Sequence, residues 1–63
     1  MDATIRDNIE PGIEVLIVQK QDQETGKLTK GVVADILTNS AQHPQGIKVR
    51  LASSEVGRVQ KIL

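Results

Sequence analysis

The stretch Ile47-Lys48-Val49-Arg50-Leu51 alternates apolar and cationic residues without a break. Successive side chains of a strand leave opposite faces, so this pattern sends Ile47, Val49 and Leu51 into a core and Lys48 and Arg50 into solvent. The same period recurs upstream, where Ile13, Val15 and Ile17 alternate with Glu14, Leu16 and Val18. It predicts a first strand over residues 13–20, rich in the β-branched types that suit a pleated, half-buried surface. A second strand is expected over residues 28–38, with Val32, Ala34 and Ile36 on one face and Val33, Asp35 and Leu37 on the other. Residues 47–51 form the third, and residues 56–63 are expected to close the chain as the last. Gly31 and Gly57 fall inside strands two and four, where an interior glycine reads as a bulge or a sharp coil.

Turn signals separate these runs. Residues 21–27 are polar and contain Gly26, which supplies a positive φ at no steric cost. Residues 39–46 hold two turn signals, Asn39-Ser40 and Pro44-Gln45-Gly46, and residues 52–55 form a tight turn. Ahead of the first strand, Thr4 and Asp7 have capping-box spacing, and Ile5 and Ile9 sit four apart as on one face of a helix. Pro11 pushes Glu10 toward extended geometry, so a single helical turn over residues 3–9 is expected. Four short strands with tight turns predict an all-β fold. The form expected is a small SH3-like antiparallel barrel of four to five strands with one short N-terminal helical turn. Closure removes the edges that make short sheets aggregate, and a flat sheet of this size leaves an apolar face uncovered.

The chain has 63 residues, enough for one domain spanning 1–63. A domain this short buries only about 60% of its unfolded surface, and without a staple its stability is expected to be ~3–5 kcal/mol. Cysteine is absent, which removes disulfides and thiolate metal sites and fits a reducing compartment. Phe, Trp and Tyr are absent too. That leaves no aromatic face for stacking bases, caging methylated lysines or cradling a proline-rich helix. Residues 1–4 lack the basic and apolar regions of a signal peptide, and the longest apolar run, residues 15–18, is far short of the ~20 needed for a membrane helix. A soluble, cytoplasmic protein is expected.

Chemistry-bearing patterns are sparse. His43 is the single histidine, and Asn39, Ser40 and Gln42 beside it make no metal set. Its expected role is packing or capping before Pro44. Asp22, Glu24 and Gly26 resemble the start of a calcium loop, but the glycine is one position early and Val33 stands where the bidentate acid belongs. No metal, cofactor, small-molecule substrate or catalytic residue is therefore expected, and the chain reads as a non-enzyme.

Charge is the more informative signal. Lys and Arg total 8 and Asp and Glu total 8, a formal net charge of zero. The balance is uneven along the chain. Residues 1–24 carry six acids against two bases, and residues 47–63 carry Lys48, Arg50, Arg58 and Lys61 against Glu55. Lys48 and Arg50 share one strand face, Arg58 or Lys61 on the next strand extends it, and Lys27 and Lys30 lie near a hairpin tip. Cations at strand intervals meet successive phosphates, which give affinity without sequence information.

Two resemblances follow from these residues. Pro11-Gly12-x-Glu14-Val15, then Lys30-Gly31-Val32-Val33, then Ile47-Lys48-Val49 resembles the KOW-type SH3-like barrels of ribosomal proteins and transcription elongation factors, although this chain is much less basic than the ribosomal members. A closer one lies in the run from Gln19 through Val33 and on through Ile36-Leu37-Thr38. Together with His43-Pro44-Gln45-Gly46-Ile47-Lys48-Val49-Arg50-Leu51 and Val56-Gly57-Arg58-Val59, it resembles the YwbE family of small prokaryotic proteins. That family implies a protein type and no biochemical role. The residues point to a binding module that contacts RNA or the ribosome through Lys48, Arg50, Arg58, Lys61, Lys27 and Lys30. The alternative is a protein-interaction adaptor using the acidic first third or a strand edge, with no nucleic-acid role.

Overall fold

The alternation in residues 47–51 is realised as a strand in which every second side chain is buried. In the computed structural model, which describes residues 1–63, the strands are β1 (Glu14–Gln19), β2 (Thr29–Ile36), β3 (Lys48–Leu51) and β4 (Val56–Ile62). Each pairs antiparallel with its neighbour, and β4 returns to pair with β1, which closes a four-stranded barrel of the small SH3-like kind. Val15, Ile17, Val33, Val49, Leu51 and Val59 fill the interior with Ile47, Ala3 and Ile9. The core is aliphatic throughout and holds no buried polar side chain. Helical content is confined to two three-residue 3-10 turns, and no helix is long and apolar enough to cross a membrane.

The N-terminal segment plugs one end of the barrel. It lies against the loop before β3, where the Arg6 N–H donates to the Ala41 carbonyl, the His43 N–H to Thr4 and the Ile47 N–H to Ala3. Ala3 and Ile9 thereby enter the core. The helical turn spans Arg6–Asn8, and Thr4 does not cap it. The Thr4 hydroxyl and N–H instead donate to the Asp2 carboxylate, so the capping box read between Thr4 and Asp7 does not form. Those two bonds, the hydroxyl's first, hold the exposed Asp2 carboxyl below its usual value. The exposed Glu55 carboxyl is likewise lowered, first by the Ser53 hydroxyl that donates to it.

Two expectations about register need correction. Bulges exist, but not at the glycines. On β2, Val33 faces Leu51 and Asp35 faces Arg50, so Ala34 is the extra residue. On β4, Val59 faces Ile17 and Lys61 faces Leu16, so Gln60 is the extra one. Each bulge resets the alternation. Val33 and Ile36 both face the core, whereas Val32 and Ala34 are exposed, which splits the face predicted for Val32, Ala34 and Ile36. Gly31 and Gly57 serve close approach instead. A Cβ on Gly31 runs into the Leu51 side chain, and one on Gly57 lies 2.5 Å from the Val18 carbonyl oxygen. Glycine at position 57 lets β4 come in against β1 beside the end of that strand.

Candidate nucleic-acid interface

Lys48 of β3 and Arg58 of β4 are direct cross-strand partners. The Val59 N–H donates to the Ile47 carbonyl one residue away, so Lys48 and Arg58 occupy the adjacent non-hydrogen-bonded position, where side chains stand closest. Like charges directly opposed destabilise a sheet. On its other side Arg58 faces Val18 of β1, and all three side chains lie on the outer face.

A third cation joins this pair. β1 ends at Gln19, opposite Gly57, and the chain then makes the 3-10 turn Lys20–Asp22. The turn closes with the Gln23 N–H on the Lys20 carbonyl at 3.4 Å and the Gly26 N–H on the Asp22 carbonyl at 2.8 Å. It carries Lys20, Gln21 and Gln23 over the outer side of β4. The result is a cleft of about 440 Å³ lined by Val18, Lys20, Gln21, Gln23, Lys48, Val56, Gly57 and Arg58. Three cations line it and no carboxylate does, in a chain that carries as many acids as bases. Arg58 is half-buried and steadied by donating to the Gly46 carbonyl at 3.1 Å.

The other cations read from the sequence lie outside this cleft. Arg50 donates to Asp35 at 3.2 Å, and Lys30 pairs with Glu14 at 3.6 Å. Both pairs are solvent-exposed and contribute at most about 1 kcal/mol each, but they neutralise the field of their cations. Lys61 faces Leu16 on another part of the sheet, and Lys27 is exposed in the turn before β2. The structure thus brings Lys48 and Arg58 together and adds Lys20, keeps Arg50 on the same outer face of β3 as Lys48 but paired with Asp35, and sets Lys30, Lys61 and Lys27 elsewhere. Period two continued from Leu16 and Val18 puts Lys20 on the outer face, and that was its one signal in the sequence. His43 sits in the loop before β3, where its Nδ1 accepts from the Gln45 N–H at 3.2 Å, and no three His, Cys, Asp or Glu side chains converge anywhere.

A small closed barrel with an aliphatic core and one acid-free cationic cleft on its wall defines the class: a compact β module with a charged outer face. Residues 2–62 match the family described as uncharacterized conserved protein (DUF2196), and the chain belongs to that family. It is similar to "Uncharacterized protein YwbE" of Bacillus subtilis (strain 168), with 54% identity over 63 residues, covering 100% of this chain and 97% of that relative. No solved structure matches the chain.

Proposed function

We propose that this protein is a non-enzymatic module that binds the phosphate backbone of RNA through Lys20, Lys48 and Arg58. The observation that carries this reading is the directly opposed Lys48–Arg58 pair in a cleft that no carboxylate lines. A fold that sets two cations side by side at the closest cross-strand position, without an acid between them, keeps a local positive field that an anion relieves. The chain's neutral total charge confines that attraction to one face. With no aromatic side chain to stack a base, affinity is modest and salt-sensitive. A Cys-free chain of this kind fits the cytoplasm, where RNA and ribosomes are the abundant polyanions.

A protein-adaptor reading has one observation in its favour. At another site, Ile13, Ile62, Met1 and Leu63 line a cleft of about 260 Å³ rimmed by Asp7 and Glu10, which suits a basic, partly apolar segment. The two readings separate by experiment. Binding of labelled RNA followed by fluorescence anisotropy is expected to weaken with salt at a log–log slope of about −2, three single-strand phosphate contacts at ~0.7 each. Lys48→Glu with Arg58→Glu is expected to abolish binding. Lys30→Gln, which removes a cation already paired with Glu14 where β1 meets β2, is expected to change it little. Equal losses from both variants, or a slope near zero, contradicts the cleft assignment.

A further inference from the structure

We infer that the cationic cleft is one end of a groove that takes single-stranded RNA and reads its bases with glutamine amides, a conclusion that rests on the phosphate-binding reading of the cleft. Three clefts adjoin on the outer face of β1 and β4, and Val18 and Gln23 line all three. Arg58 is shared by the first and second, and Gln60 by the second and third. The groove therefore runs from Lys20, Lys48 and Arg58, past Gln45 and Gln60, to Gly26 and Leu28. No Asp or Glu lines any part of it. Charge lies at one end, amides in the middle and an exposed apolar residue, Leu28, at the other.

The amides are set to meet a ligand. Gln23 and Gln45 use only backbone groups in internal bonds: the Gln23 N–H on Lys20, the Gln45 N–H on His43, and the Gln45 carbonyl toward Gln60. Their side chains keep both donor and acceptor free. Gln60 differs, because its Nε2 is held on the carbonyls of Gln45, Arg58 and Val59, which turns its Oε1 into a fixed acceptor. The β4 bulge that puts Gln60 and Lys61 both outside the barrel is what brings this acceptor beside Arg58. A glutamine amide, with one donor and one acceptor side by side, matches the paired donor and acceptor on the open edge of any unpaired base. Proteins reach such base edges in RNA where bases are unpaired, since the major groove of an A-form duplex is too deep and narrow for side chains. Three cations gathered in one cleft also suit a short stretch of one backbone better than phosphates spread across a duplex face. The ligand class is single-stranded RNA, phosphates toward Lys48 and Arg58 and base edges toward Gln23, Gln45 and Gln60.

The test uses the whole chain and labelled oligonucleotides of about eight nucleotides, within the range one small barrel covers. Single-stranded oligo(A) and oligo(U) and a mixed-sequence duplex are titrated by anisotropy at ~50 mM salt, where phosphate contacts are strongest. Both single strands are expected to bind at least about fivefold more tightly than the duplex, whose base edges are already paired. Gln23→Ala with Gln45→Ala, both exposed positions, is expected to erase the preference for single strands while leaving duplex binding and the salt slope unchanged. A duplex that binds as well as the single strands, or a single-strand preference the glutamine variant does not alter, overturns the inference and leaves the phosphate reading standing. Absence of binding to all three RNAs overturns both.

Discussion

Ser54 adopts φ 86°, the one residue other than glycine in the left-handed region. It is the last residue of the hairpin loop between Leu51 and Glu55, whose backbone groups bond across the turn at 2.8 Å. Three-residue hairpin loops place a left-handed residue there, and a side chain in that conformation costs ~1–2 kcal/mol, partly offset by the flexibility glycine brings to the unfolded chain. Ser54→Gly is therefore expected to stabilise the fold by about 0.5–1 kcal/mol, read as a higher urea midpoint at unchanged slope. The run Ala52-Ser53-Ser54-Glu55 reads as a turn, but its type follows from the Leu51–Glu55 register, which no residue in the run declares. The site has the same character. Lys48 is legible as outward-facing from its strand alone, but its pairing with Arg58 and the arrival of Lys20 depend on how β1, β3 and β4 meet. Asp35 and Glu14, which withdraw Arg50 and Lys30 from the candidate set, were equally out of reach of strand periodicity.

At the level of elements, the four strands and their turns were legible because β1 is rich in β-branched residues, apolar and cationic residues alternate in β3, and polar turns bound each run. The face assignment of β2 was not, because the bulge falls at Ala34, a residue type that gives no backbone signal, while the conspicuous glycine lies three positions earlier. Glycine marked something else: places where one strand's interior surface, or its backbone, occupies the room a side chain needs. The two cases differ in what must give way. At Gly31 the obstacle is the buried Leu51 side chain; at Gly57 it is the Val18 backbone, which has no rotamer to change. Gly31→Ala is expected to cost ~1–3 kcal/mol, the usual range for overpacking a core. Gly57→Ala is expected to cost more, because β1 and β4 must separate along the seam that closes the barrel. Chemical denaturation of the two variants checks the order, and a smaller loss at Gly57 contradicts the close-approach account. Amide shifts of Val18 and Gln19 are expected to move in the Gly57 variant and to stay in place in the Gly31 variant.

Over the whole molecule, sixty-three residues with no net charge support one barrel, and the fold sorts that charge without adding to it. Arg50 and Lys30 are neutralised by neighbours, whereas Lys20, Lys48 and Arg58 gather in a cleft without an acid. Acids and apolar side chains share a separate cleft around Asp7, Glu10, Ile13 and Ile62. The proposed RNA-backbone contact depends on that sorting, so the most direct measurement is a map of where RNA touches the protein. Labelled protein is titrated with short single-stranded RNA at ~50 mM salt and followed by backbone amide shifts. Shifts are expected to concentrate at Lys20, Gln23, Lys48, Gly57 and Arg58, fade as salt is raised, and leave Asp7, Glu10 and Ile13 in place. No shift at millimolar RNA, or shifts centred on Asp7, Glu10 and Ile13, would contradict the proposed contact.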